Sequence, residues 1–152
     1  MAAAALAGAL VLLGPALMKS RLGVDEVVTT LLLNFVVLLG VSALLDGPMK
    51  DPLAMGWPQS VALQGELELG KLIPQTRLHT GLLWAVAAAG LLAALLRYTM
   101  PGFDIRALGA NPRAAGFAGV PVTRTVVLVA LLSGALAGLA GAIEVAGRTS
   151  YV

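Results

Sequence analysis

The stretch GFDIRALGANPRAAGFAG, residues 102 to 119, is a charged and glycine-rich connector between two long apolar runs. Asn111 predicts a helix N-cap and Pro112 a first-turn proline, while Gly119, two residues before another proline, predicts the helix end. The helix between these signals, residues 112 to 118, has about two turns and is too short to be stable alone in water. We therefore expect another surface to pack against it.

The rest of the chain has the composition of a membrane protein. Of its 152 residues, 59% are hydrophobic and 12% are charged, whereas a soluble domain carries about 25% charged residues. Four runs are almost free of charge: residues 2–18, 27–45, 80–96 and 125–143. Each run has about the length that crosses the roughly 30 Å hydrocarbon layer as a helix. The sequence predicts an all-α, polytopic membrane protein with four transmembrane helices, forming one domain over residues 1–152.

Several other classes of protein are excluded. The net charge is +2, but the basic residues lie at the ends of the spans and form no basic face with interleaved aromatic residues, so nucleic acid is not an expected partner. The chain has no cysteine and one histidine, and it lacks the phosphate-loop, GxSxG and HExxH motifs. Ser133 and His79 are predicted at different membrane depths and cannot form a catalytic pair. We expect no enzymatic activity, metal or cofactor.

The basic residues also predict the orientation of the chain. Six of the ten lie on the connector side of the membrane: Lys19, Arg21, Arg97, Arg106, Arg113 and Arg124. The positive-inside rule places the connector, residues 98–123, in the cytoplasm, and the loop of residues 46–79 and both chain ends outside. A polar turn should join the first two spans, with Lys19, Arg21, Asp25 and Glu26 in it. Alternating apolar and polar residues at 61–69 of the outer loop predict a short strand or hairpin.

The fourth span carries small residues at helical spacing. One stripe contains Ala130, Gly134, Gly138 and Ala142, and Ser133, Ala137 and Gly141 lie beside it. Small residues at this spacing let the backbones of two membrane helices approach closely. We expect this helix to pack tightly against a neighbour.

Four polar residues in the spans are candidates for helix contacts or for a substrate path. Thr29, Thr30 and Asn34 lie in the second span, where Thr30 and Asn34 share one face. Unpaired polar groups are costly in lipid, so these side chains should face other helices or a wet cavity. Glu144, near the outer end of the fourth span, either pairs with Arg148 or contacts a substrate.

The connector is longer than a simple link between two spans requires. Its predicted helix presents Arg113 and Phe117 on one face, four residues apart. A mixed aromatic and basic surface suits docking to a soluble protein. The alternative is an amphipathic helix that rests on lipid headgroups.

The segment GFDIRALGANPRAAGFAGVPVTRTVVLVALLSGALAGLAGAIEV resembles ABC transporter permeases of the ribose, nucleoside and branched-chain amino acid importer superfamily. The upstream segment GVDEVVTTLLLNFVVLLGVSALLDGPMKDP is similar to the nucleoside-type (BmpA-associated) sugar permeases. The resemblance covers residues 19–152. It implies a permease subunit, in the cell membrane, that transports nucleosides or related sugars.

The resemblance also implies partners and site residues. The connector would contain a coupling helix that fits a cleft of a separate ABC ATPase, with a second permease subunit and an extracytoplasmic substrate-binding lipoprotein completing the importer. The implied coupling positions are Gly102, Phe103, Arg106, Ala107, Gly109, Asn111, Pro112, Ala114, Ala115 and Gly119. Members of the family are about twice as long, so the chain is expected to be part of a permease. Alternatives are a branched-chain amino acid permease and a membrane scaffold that transports nothing.

Overall fold

The computed structural model describes residues 1–49 and 80–146. Over these ranges the chain is helical and contains no strand. The helices are α1 (Ala2–Leu22), α2 (Glu26–Asp46), α3 (Gly81–Tyr98), α4 (Met100–Ala110), α5 (Pro112–Phe117) and α6 (Val122–Glu144). The predicted all-α class is confirmed. The predicted hairpin at residues 61–69 lies outside the described residues.

Four of these helices, α1, α2, α3 and α6, are long and apolar enough to cross a membrane. They coincide with the four predicted spans, which are therefore confirmed as helices of spanning length. Helix α6 begins three residues before its predicted apolar run, because Pro121 acts as its N-cap residue and the helix starts at Val122. Arg124 consequently lies in the first turn of α6, at the connector-side end of that span.

The turn between α1 and α2 is shorter than predicted, and the placement of Lys19 and Arg21 in it was wrong. Both residues belong to the last turn of α1, where cations interact favourably with the negative end of the helix dipole. Gly23 then takes a left-handed conformation, with φ 66°, and its N–H donates to the carbonyl oxygen of Lys19 at 3.1 Å. The Asp25 carboxylate accepts from the N–H of Val27 at 2.8 Å and caps α2.

The connector contains two helices, whereas the sequence predicted one. Helix α4 begins after Thr99, whose hydroxyl accepts from the N–H of Gly102 at 3.2 Å, and Pro101 lies in its first turn. Helix α5 ends at Phe117, one residue earlier than predicted. Gly119 follows with φ 88°. Residues other than glycine rarely adopt this left-handed conformation, which ends α5 and separates it from α6.

The centre of the fold is the pair α1 and α6, which pack more extensively than any other two helices. Their backbones are in contact at glycine. A Cβ atom on Gly8 would lie 2.9 Å from the backbone nitrogen of Gly138, and one on Gly134 would lie 2.8 Å from the Cα of Ala9. The small-residue stripe of α6 therefore meets small residues of α1, as close packing between membrane helices requires.

The other two spans bury little of their surface within the chain. No residue from Val27 to Asp46 of α2 is buried, and Gly81 is the one buried residue of α3. Large apolar side chains are exposed along both helices; they include Leu31, Phe35, Leu39, Trp84 and Leu91. Such continuous apolar surface is unsuited to water and suits a lipid environment. The chain is a multi-pass membrane protein.

Candidate functional site

The connector helix α5 is held in place by its N-terminal cap. The side-chain oxygen of Asn111 accepts from the N–H groups of Arg113 and Ala114, both at 3.1 Å. The backbone carbonyl of Asn111 also accepts from the N–H of Ala115 at 2.9 Å. These bonds satisfy donors that a helix start otherwise leaves without a partner. A helix of six residues thus has a defined geometry at its first turn.

One face of α5 is exposed and carries the aromatic and basic residues predicted for docking. Phe117 is 96% exposed, and Arg113 is also exposed. Phe103 of α4 is 56% exposed. A phenyl ring that is almost fully exposed outside the apolar spans makes no packing contribution within the chain, so its surface is available to a partner.

The predicted coupling positions divide into a surface set and a buried set. Gly102 and Ala115 are buried, and Ala107 is half-buried. The exposed positions are Phe103, Arg106, Gly109, Asn111, Pro112, Arg113, Ala114, Phe117 and Gly119. Ala115 is only 5% exposed, so a larger side chain there would disturb the packing of α5 itself. A test of docking therefore has to use the exposed set.

Helix α4 follows α3 after a sharp bend at Thr99, which we call the elbow. The hydroxyl of Thr99 donates to the carbonyl oxygen of Leu95 at 2.6 Å and accepts from the N–H of Gly102. A Cβ atom on Gly102 would overlap the carbonyl oxygen of Leu95 and lie 2.6 Å from the Cα of Leu96. Only glycine fits this contact without a shift of the backbone. The start of the connector is therefore held against α3 by both a hydrogen bond and close packing.

A cavity of about 510 Å³, here named the central cavity, joins the connector to the spans. Gly109 of α4 and Pro112 of α5 line it from the connector. Thr30 of α2 and Ser133 of α6 line it from the spans, together with Lys19 of α1. The remaining lining is apolar: Leu12, Pro15, Ala16, Ile105, Leu108, Val122, Val126, Val129 and Ala130. An apolar cavity of this size with few polar groups is typical of small-molecule sites.

The three polar residues predicted in α2 have different surroundings. The Thr29 hydroxyl donates to the carbonyl oxygen of Asp25 at 2.8 Å, and the Thr30 hydroxyl donates to that of Val27 at 3.1 Å. Both hydroxyl protons are therefore used within the helix. Thr30 faces the central cavity, whereas Asn34 is exposed and does not line it. The structure thus brings Thr30, and not Asn34, next to the connector.

The candidate residues of α6 also separate into groups. Ser133 lines the central cavity, and Gly134 and Gly138 contact α1. Gly141 is exposed, and a Cβ atom on it would meet nothing within 4 Å. Glu144 is exposed, and its predicted partner Arg148 lies outside the described residues.

Several residues of the site were missed in the sequence. Pro15 and Ala16, which are buried in α1, line the central cavity beside Ser133, and Thr99 fixes the elbow. The proline two residues after Thr99 was a usable signal for a helix start. No local pattern indicates that α1 and α6 are neighbours. In residues 1–49 and 80–146, no group of three acidic, histidine or cysteine side chains could hold a metal ion.

The whole chain matches one protein family. The family described as "Branched-chain amino acid transport system / permease component" matches residues 1–152. No solved structure matches the chain significantly.

Three curated proteins are similar to it. A guanosine ABC transporter permease protein of Bacillus subtilis is 32% identical over 97% of this chain and 43% of its own length. A nucleoside ABC transporter permease protein of Lactococcus lactis is 29% identical over 85% of this chain and 37% of its own length. A glucose ABC transporter permease protein of Haloferax volcanii is 37% identical over 95% of this chain and 40% of its own length. The chain spans less than half the length of these relatives.

Proposed function

The chain belongs to the family of branched-chain amino acid transport system permease components, and we propose that it forms part of the membrane subunit of an ATP-driven importer for nucleosides or related sugars. In this proposal the chain carries the substrate path and the contact with the ATPase. ATP hydrolysis takes place on a separate subunit. A transport permease is not itself an enzyme.

The observation that carries the proposal is the composition of the central cavity. One cavity is lined by Gly109 and Pro112 of the connector and by Thr30 and Ser133 of the spans. A displacement of α4 or α5 therefore changes the shape of a cavity that lies between membrane helices. Packed interfaces transmit such displacements because they deform little.

The polar groups of the central cavity suit a hydroxylated ligand. Ser133 places a hydroxyl group on the lining, and Thr30 and Lys19 are its other polar side chains. Ribose and other sugars present hydroxyl groups that donate and accept hydrogen bonds, while a base or sugar face packs on the aliphatic lining. A branched-chain amino acid carries both an ammonium and a carboxylate group, and no acidic residue is among the described residues that line the cavity. This lining, together with the similarity to a guanosine permease and to a nucleoside permease, favours a nucleoside.

The exposed face of α5 is the proposed contact with the ATPase. Phe117 and Arg113 are side chains of the kinds that dominate protein interfaces, an aromatic ring and a guanidinium. The Asn111 cap fixes the first turn from which they project. The excess of basic residues on this side supports a cytoplasmic connector, where ATP is available. A second permease subunit and an extracytoplasmic binding lipoprotein complete the proposed importer.

The docking face can be tested by replacing its two side chains. Arg113→Gln combined with Phe117→Ser should reduce affinity for the ABC ATPase of the same organism at least tenfold, because interface aromatic and arginine side chains each contribute about 2 kcal/mol when they are central. The measurement is co-purification from detergent-solubilised membranes, followed by titration of the purified ATPase. Arg97→Gln combined with Tyr98→Ser is the matched control, since both residues are exposed and lie outside α5.

The outcomes distinguish the proposed function from its alternatives. If both double variants retain the ATPase equally, α5 is not the docking helix. If the unaltered chain recruits no ABC ATPase, the scaffold alternative is supported. Competition for uptake in the host separates the substrates: excess unlabelled nucleoside should abolish uptake, and inhibition by leucine alone would favour the branched-chain amino acid alternative.

A further inference from the structure

A second cavity lies between the connector-side ends of α1 and α6. It has a volume of about 530 Å³ and is open to the surface. Leu17 and Arg21 of α1 line it on one side, and Arg124 and Val127 of α6 line it on the other. We name this cavity the interfacial groove. It is separate from the central cavity: the described linings of the two share only Val122, in the first turn of α6.

The two walls of the interfacial groove repeat the same arrangement. Arg21 follows Leu17 by four residues, and Val127 follows Arg124 by three, so the members of each pair lie on one face of their helix. Each helix therefore places a guanidinium at the membrane surface and an aliphatic side chain about one turn deeper in its span. The groove is cationic at its connector-side end, at the membrane surface, and apolar toward the interior of the membrane.

The charge of the groove is not balanced by its own lining. Arg21 and Arg124 are both exposed, and no acidic residue is among the described residues that line it. Asp104 lines a smaller cavity of about 170 Å³ together with Arg124. Two guanidinium groups with one adjacent carboxylate leave net positive charge for a ligand.

We propose that the interfacial groove binds an anionic glycerophospholipid from the leaflet on the connector side. The lipid phosphate lies between the guanidinium groups of Arg21 and Arg124, which bind phosphate oxygens in a planar, forked geometry. An acyl chain lies along Leu17 and Val127. Basic pockets between membrane helices bind anionic headgroups for this reason. The cationic end of the groove lies at the membrane surface and its apolar part lies deeper, which matches the headgroup and acyl chain of a lipid and not a soluble anion. The bound lipid would bridge α1 and α6, the central helix pair of the chain.

The test is lipid selectivity of the purified chain. The delipidated chain in a non-ionic detergent is incubated with an equimolar mixture of phosphatidylglycerol and phosphatidylcholine that have identical acyl chains, and retained lipid is counted by native mass spectrometry. The unaltered chain should retain phosphatidylglycerol preferentially. Arg21→Gln combined with Arg124→Gln should lower that preference about tenfold or more, since each basic residue near an anionic surface contributes about fivefold.

Two controls make the result specific. Arg97→Gln combined with Arg106→Gln removes the same charge from exposed residues outside the groove and should keep the preference. Arg21→Lys combined with Arg124→Lys keeps the charge but loses the forked geometry, so it should retain a preference between those of the unaltered chain and the glutamine variant, which separates a binding effect from a folding failure. Equal loss in the groove variant and in the charge-matched control would overturn the proposal, because it would indicate general attraction to headgroups. Competition by glycerol phosphate at the same concentration as the lipid would also overturn it, because the apolar wall would then contribute nothing.

Discussion

Gly138 and Gly141 lie three residues apart in α6, yet their surroundings are opposite. A Cβ atom on Gly138 would overlap the carbonyl oxygen of Ala4 and lie 2.8 Å from its carbonyl carbon. A Cβ atom on Gly141 would meet nothing within 4 Å. The same chemical change at the two sites should therefore have opposite effects on the stability of the helix pair.

Gly138→Ala should destabilise the chain by about 1–3 kcal/mol, because the added methyl group forces α1 and α6 apart. Gly141→Ala should be neutral or stabilise it by up to about 1 kcal/mol, because alanine favours a helix over glycine. The measurement is the thermal loss of helical circular dichroism in detergent. Equal melting temperatures for the two variants would contradict the backbone contact between α1 and α6.

At the scale of the element, α5 depends on its cap more than a longer helix would. Its six residues cannot form a stable helix alone, and two of its first N–H groups bond to the side chain of Asn111. Asn111→Ala should weaken the first turn by about 0.5–2 kcal/mol. Hydrogen exchange at the amides of Arg113 and Ala114 should then accelerate about twofold to thirtyfold. Asn111→Ser keeps a capping oxygen, so it should change the exchange rates of these two amides little. Equal acceleration in both variants would mean that the side-chain cap does not hold α5.

The elements also differ in how far the sequence predicts them. The cap at Asn111 and the break at Gly119 are local features, so the start and end of α5 could be read within one residue. The apolar runs likewise predict the spans, because a membrane imposes both length and composition. Helix α4 was missed because it contains two glycines and one proline, which resemble a loop, and because its stability depends on the elbow at Thr99.

The partners of each helix could not be predicted from one stretch alone. The glycine stripe of α6 indicates close packing but does not specify which helix it meets. Gly8 of α1 is a single glycine among alanines, and its role is evident only when α1 lies against Gly134 and Gly138. For the same reason the sequence proposed Thr30 and Ser133 as separate candidates, and only the fold shows that they line one cavity.

Across the whole molecule, the alternation of spans places two groups of residues on opposite sides of the membrane. The end of α1, the start of α2, the connector helices and the start of α6 share one side. The end of α2, at Asp46, and Met49, which follows it, lie on the other. Most of the basic residues lie on the first side, which predicts that it is cytoplasmic. The proposed coupling to ATP requires this orientation.

The chain has no cysteine, so a single introduced thiol reports its own side of the membrane. Ala118→Cys, in the exposed connector, should react with a membrane-impermeant maleimide in inside-out vesicles and not in right-side-out vesicles. Met49→Cys, which is also exposed, should show the reverse. A sample of each variant that is labelled after detergent treatment confirms that its thiol is reactive. Labelling of Ala118→Cys from the outside would place α5 away from the cytoplasm, and a contact between Phe117 and a cytoplasmic ATPase would then be physically impossible.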